Sequence, residues 1–227
     1  MRATLSGTVV LLAWLSQASI ASAEPRQRVG FEPSAHVGVG TFPSHLTFDG
    51  APAWAPGRRN ATVGVHLDLA YRFAPLIDVG LHVFHQWLVV DGLDAGSDAT
   101  ATASGAGTLV RLHPLTALWA RLPIDLSLGV GFDFFASARQ TTESRSGATT
   151  TESRAAIPGV SVPVWVGLDV VLGAAALGVV AIWAPWWRIE ECTSMATGVP
   201  ECRRESSAPT AYLFLGLGFR LHLEFVQ

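Results

Sequence analysis

The sequence predicts an all-β protein, an eight-stranded antiparallel up-and-down transmembrane β-barrel, and three observations carry that prediction. Apolar residues alternate with small or polar ones, with a period of two, in eight separate blocks. The links between blocks are alternately short and long, as in barrels that cross a membrane. Only 15% of the 227 residues are charged, against about 25% in a typical soluble domain, and embedding in lipid explains the deficit.

The blocks run Ser34 to Phe42, Ala61 to Phe73, Ile77 to Trp87, Thr102 to His113, Leu122 to Phe135, Ile157 to Val171, Ala175 to Trp187 and Ala211 to Phe225. The fifth is the cleanest, with Ile124, Leu126, Leu128, Val130, Phe132 and Phe134 against Asp125, Ser127, Gly129, Gly131 and Asp133. In the last, Leu213, Leu215, Leu217, Phe219, Leu221, Leu223 and Phe225 form an oily face opposite one that ends in Arg220, His222 and Glu224. Such strands suit a sheet that meets lipid outside and a polar lumen inside. The seventh block is apolar on both faces. The stretch from Val164 to Trp187 could therefore be read as a transmembrane helix, but Val alternates before Leu172 and Gly173 interrupts at the expected turn.

The links near Ala74, Pro114 and Gly173 are short, whereas Pro43 to Asn60, Leu88 to Ala101, Ala136 to Ala156 and Arg188 to Thr210 are long. The chain starts and ends on the short-turn side, so both termini are expected in the periplasm and four long loops outside. The third long loop repeats itself, Thr141 to Arg145 and Thr150 to Arg154, which suits a mobile or hairpin loop better than a repeat domain.

Residues Met1 to Ala23 read as a cleavable signal peptide: Arg2, an apolar core from Val9 to Leu15, and the small-residue exit Ala21-Ser22-Ala23. Residues 24–33 are expected as a short periplasmic segment and 34–227 as the barrel. No Cys lies near the cleavage site, so no lipid anchor is expected. A net charge of −3 with scattered basic residues gives no electrostatic footprint for nucleic acid. Cys192 and Cys202 lie in the polar segment between Arg188 and Thr210. In an exported protein the pair reads most simply as a disulfide, since a metal site there would lack its other ligands. Trp87, Phe134, Phe135, Trp183, Trp186 and Trp187 are expected in one interfacial girdle, and Tyr71, Phe73, Trp119 and Phe225 in the other.

Over nearly all of Phe31 to Phe225 the chain resembles the small outer-membrane β-barrel families of Gram-negative bacteria, such as the membrane domain of outer membrane protein A and the related X and W proteins. The last strand resembles the signal read by the barrel-assembly machinery: Gly218, alternating apolar residues, then Phe225. It departs from that pattern in having Leu221 and Leu223 where aromatics are common, and in the two residues after Phe225. The resemblance implies a monomer surrounded by outer-membrane lipid and lipopolysaccharide and folded by that machinery; since the sequence ends with the last strand, no peptidoglycan-binding domain is expected after the barrel.

An eight-stranded barrel is just wide enough inside for side chains, so its lumen is expected to be plugged. Hairpin geometry should bring Arg72 to Asp78 and Arg111 towards Asp125, with Asp169, Arg220, His222, Glu224 and His36 at similar depth, a salt-bridged belt. The same register sets Asp68 opposite His82 with His66 nearby. That cluster is either a hydrogen-bonded polar core or a site for metal or proton relay. His82 and His85 point to opposite faces and are discounted as a ligand pair. Lipid-A-modifying enzymes of this size use His and Ser, but no His here is followed two positions later by Ser; His66 and His222 are followed by Asp68 and Glu224 instead. The expectation is therefore a non-enzyme without cofactor, structural or recognitional through its outer loops. The alternatives are a lipid-A-modifying enzyme and a narrow conduit for small hydrophobic solutes.

Overall fold

The computed structural model describes residues 29–41, 61–88, 97–118, 123–146, 149–189, 191–195, 201–203 and 210–224. The expected signal peptide, most of the first two long loops, Trp119 and Phe225 lie outside them. The strands are β1 (Gly30–Thr41), β2 (Ala61–Ala74), β3 (Ile77–Leu88), β4 (Ser97–Leu112), β5 (Ile124–Ser146), β6 (Thr149–Ser161), β7 (Val164–Leu172), β8 (Ala175–Arg188), β9 (Glu191–Met195), β10 (Glu201–Arg203), β11 (Thr210–Leu221) and β12 (Leu223–Glu224). One short helix, α1 (Pro114–Leu118), stands between β4 and β5.

Eight staves close into a ring. Each of β1 to β5 pairs antiparallel with its neighbour in the chain. The lower part of β5 pairs with β7, β7 with β8, and β8 with β11. The ring closes where β11 lies against β1, with Gly38 opposite Gly216 and Ser34 opposite Arg220. Closure removes every free edge from the ring, which a sheet surrounded by hydrocarbon requires. The stretch from Val164 to Trp187, readable as a helix, is the β7–β8 hairpin, turning at Gly173 with φ of 66°.

The period-two pattern sorts as expected. Leu67, Leu69, Leu81, Val83, Val130, Phe132, Leu215 and Leu217 are exposed on the outside, while Asp68, Arg72, Asp78, His82, Asp125 and Asp133 are buried inside. Exposed apolar side chains all round the ring are what lipid stabilises and water does not. Trp87, Phe134, Phe135, Trp183 and Trp187 are exposed on the outer wall at the long-loop end, as a girdle requires. Trp186 departs from it: the side chain is 1% exposed and fills the lumen beside Gly159, where any Cβ would overlap its indole.

Four departures from the sequence reading have local causes. β1 begins at Gly30, four residues before the expected Ser34, and so brings Glu32 into the lumen. The expected sixth strand is split into β6 and β7 by Val162 and Pro163. Pro163 has no N–H to give, and its carbonyl accepts from Gly131 while the Val162 N–H donates to Pro185. The link after β4 is longer than a turn and holds α1. Finally, the long-loop ends of β4, β5 and β6 continue beyond the ring and are joined by β9 and β10, which fall in a segment expected to be an irregular loop. The repeated segments face each other across the β5–β6 hairpin, Thr141 opposite Arg154 and Arg145 opposite Thr150.

Candidate functional site

The lumen has two storeys. The lower, at the short-turn end, is ionic. Among the described residues, Glu32, Asp68, Asp78, Asp125 and Asp169 meet Arg72, Arg111 and Arg220 there, together with His113 and His222. Arg72 Nη2 donates to Glu32 Oε2 at 3.0 Å and lies 3.9 Å from Asp125. Arg111 reaches two carboxylates, Asp78 through Nε (3.1 and 3.3 Å) and Asp68 through Nη1 (3.1 Å). Arg220 donates to Asp125 and lies 2.8 Å from Asp169. His222 Nδ1 is 2.8 Å from Glu32 Oε1.

His113 ties the two sides of this network together. Its Nε2 is 2.9 Å from Asp78 Oδ2 and its Nδ1 is 2.9 Å from Asp125 Oδ2. Whichever ring nitrogen carries hydrogen donates to the carboxylate that it faces. The residue is held there by the chain: its N–H donates to Leu76 O at 2.7 Å, and α1 starts at the next residue. From α1, Thr116 Oγ1 donates to Asp125 Oδ1 at 2.7 Å. His113 and Thr116 thus tuck into one side of the ring beside Asp125.

The expected belt is present with other partners than register alone suggests. Arg72 does stand opposite Asp78 on the β2–β3 ladder, but its guanidinium goes to Glu32 and leaves Asp78 to Arg111. Arg111 does not reach Asp125, because α1 lengthens the turn and His113 fills the space between them. Asp169, Arg220 and His222 join as expected; the side chain of Glu224 lies outside the described residues, although its backbone pairs with Gly30.

His66, Asp68 and His82 do not form a cluster. Asp68 accepts from Ser34 (2.9 Å) and Arg111, with His36 at 3.8 Å, and so belongs to the lower storey. His66 stacks between Phe84 and Phe214, ring centroids at 5.4 and 4.3 Å, with Nε2 3.4 Å from Gln86. His82 stands edge-on to Trp165 and its Nε2 lies 2.5 Å from Asp133 Oδ1, off the line of a hydrogen bond. Asp133 also accepts from Ser161. Among the described residues, the group whose donor atoms do lie close enough for a metal is Glu32, Asp78 and His113, within 4.8 Å. Those atoms are already taken by Arg72, His222, Arg111 and Asp125.

The upper storey is chiefly aromatic: Phe84, Trp165, Ile182, Trp186, Tyr212 and Phe214 are all 3% exposed or less and pack as one core, with the buried polar side chains of His66, His82, Gln86 and Asp133 set against it. This explains why the β8 block is apolar on both faces, since its inner row, Val180, Ile182 and Ala184, faces that layer. His85, on the outer wall, packs edge-on against Trp87 at 4.3 Å.

No protein-family model matches the chain, and no curated protein sequence matches it. Solved structures do. A major outer membrane protein from Thermus thermophilus superposes with a TM-score of 0.60 at 13% identity, over 86% of this chain and 99% of the other. OprG from Pseudomonas aeruginosa has a TM-score of 0.49 at 17% identity, covering 86% and 98%. Neisserial surface protein A has 0.42 at 11% identity, covering 87% and 97%. By fold, with its closed eight-stave ring and its oily outer wall, this chain is a small β-barrel similar to the Thermus thermophilus outer membrane protein.

Proposed function

We propose that the protein is a monomeric, non-conducting barrel whose role is structural or recognitional and is carried by the sheet built outside the ring. The observation behind this reading is β5. It runs from Ile124 to Ser146, and its pairing partners change from β7 inside the ring to β6 beyond it. A span of 23 residues extends roughly 75 Å, where about 10 residues cross a membrane. Everything past the wall is available to a partner. On this reading the long-loop face is the cell exterior, the termini are periplasmic, lipid and lipopolysaccharide surround the wall, and the barrel-assembly machinery inserts it. Neither nucleic acid nor a cofactor has a place in it.

The register of the outer hairpin supports a disulfide. Cys202 stands directly opposite Cys192 on the β9–β10 ladder, and directly opposed residues in antiparallel strands have Cα atoms about 4.5–5.5 Å apart, within the reach of an S–S bond. An oxidising compartment would join them. Thiol titration of the folded protein should find no free thiol until a reductant is added; two free thiols in protein purified from the envelope without reductant would remove the staple.

Planar-bilayer recording tests the plug, with no unitary conductance expected. Replacing the outer part of the β5–β6 hairpin by a short turn should abolish retention on immobilised lipopolysaccharide while leaving a heat-modifiable barrel. Unchanged retention in a variant that retains the barrel shift would overturn recognition by this sheet. Acyl release from lipopolysaccharide would instead favour an enzyme, a reading that His66 supports poorly, being fully buried against two Phe rings with Gln86 as its side-chain partner among the described residues.

A further inference from the structure

Three polar atoms on the lumen wall have no hydrogen-bond partner among the described residues: His36 Nδ1, Asp68 Oδ1 and Arg111 Nη2. The side chains of Asp68 and Arg111 are only 2% and 7% exposed, so bulk solvent does not satisfy them, and buried polar groups left unpaired are costly. All three residues line one cavity, with Ser127, Asp169 and Arg220 on its other sides. The cavity exists because Gly167 and Gly218 put no side chain into it; a Cβ on Gly218 would overlap the His36 imidazole.

The cavity offers about 20 Å³ to the centres of water-sized molecules, and a single water needs roughly 10–15 Å³ with two to four polar partners. It therefore has room for one or two waters. The chemistry of the wall agrees. A water can donate to Asp68 Oδ1 and accept from Arg111 Nη2 at once, whereas a bare cation would meet Arg111 and Arg220 and a bare anion Asp68 and Asp169. A second cavity of about 10 Å³ lies at the short-turn mouth, between Glu32, Arg72, His222 and the small side chains of Ala174, Ala175 and Ala176. Arg220 lines both cavities. Arg72 Nε and His222 Nε2, on the wall of the second, are likewise unpartnered. Trp165 forms the ceiling of the first, below the aromatic layer.

We propose that the lower lumen is a hydrated blind channel, entered from the short-turn mouth past Arg220, whose inner end is a water-binding site formed by His36, Asp68 and Arg111. The aromatic storey closes it from the long-loop side. The two halves of the lumen then differ in access to small solutes, and a buried hydroxyl in each reports on it. Ser127 lies on the cavity wall; Ser161 is fully buried, its hydroxyl given to Asp133.

The test places a thiol at each position separately, Ser127→Cys and Ser161→Cys, in a background carrying Cys192→Ser and Cys202→Ser, with folding checked by heat-modifiability. Hydrogen peroxide is the probe: a neutral molecule close to water in size, which oxidises a thiol to the sulfenic acid and leaves as water. The S127C thiol should be consumed on the order of tenfold faster than that of S161C, since thiol reaction rates follow access. Adding Arg220→Ala should speed S127C further and leave S161C unchanged. Equal rates at the two positions, or an S127C thiol inert until the protein is unfolded, would overturn the proposal. Should the Arg220 variant not fold, the comparison of the two thiols with Arg220 in place decides alone.

Discussion

The two storeys of one lumen solve the same problem, filling a tube eight strands wide, with opposite chemistry. Below, Glu32, Asp68, Asp78, Asp125 and Asp169 are held by Arg72, Arg111, Arg220 and His113. Above, Phe84, Ile182, Trp186, Tyr212 and Phe214 fill space by shape. Charge pairing tolerates gaps that water can occupy, while an apolar layer gains only from close contact. The lower half should accordingly respond to changes of charge at constant volume, and the upper to changes of volume at constant polarity.

Asp125→Asn should have the largest effect. It keeps the shape but removes the charge that Arg220, Arg72 and His113 share; breaking a buried pair costs about 3–5 kcal/mol. Urea titration of the folded fraction, read by the heat-modifiability shift, measures it, and a loss below about 1 kcal/mol would mean that charge is not what holds the lower storey. Ile182→Val, a change of volume alone at a fully buried position of the upper storey, should cost about 0.5–1.5 kcal/mol in the same assay. The smallest effect should have the opposite sign. The Tyr212 hydroxyl is buried without a partner among the described residues, so Tyr212→Phe should stabilise the barrel by about 1 kcal/mol. A destabilisation would show that the hydroxyl serves the Asp133 pocket instead.

Strand positions and the inside-outside assignment were legible because lipid and lumen demand opposite polarity at successive residues, a demand written directly into β2, β5 and β11. The pairing of charges was less so. Register places backbones, but Arg has the reach to choose among several carboxylates, and Arg72 chose Glu32 over the Asp78 opposite it. Two members were missed on the inward parity: Glu32 lies two residues before Ser34, one alternation outside its block, and His113 is the last residue of the fourth block, two after Arg111, but was not assigned to the belt. Asp133 was already on the inward face of its block. The split at Pro163 also had a signal, since a strand interior cannot use a residue without an N–H. The outer sheet had only the repeat in its third loop, because Ser, Thr, Ala and charged residues in water carry no period that separates a strand from a loop.

The seam between β1 and β11 is where the ring joins its two ends. Its partners, Gly30 to Thr41 and Thr210 to Leu221, are the two most distant parts of the ring in sequence, so the entropy of bringing them together must be met before any contact rewards it. Much of the seam is Gly against Gly, Phe or His, with little side-chain detail to choose between sliding by two residues and staying. The contact between His222 and Glu32 across that seam adds a discriminating partner: a clasp that favours one alignment of the closed cylinder.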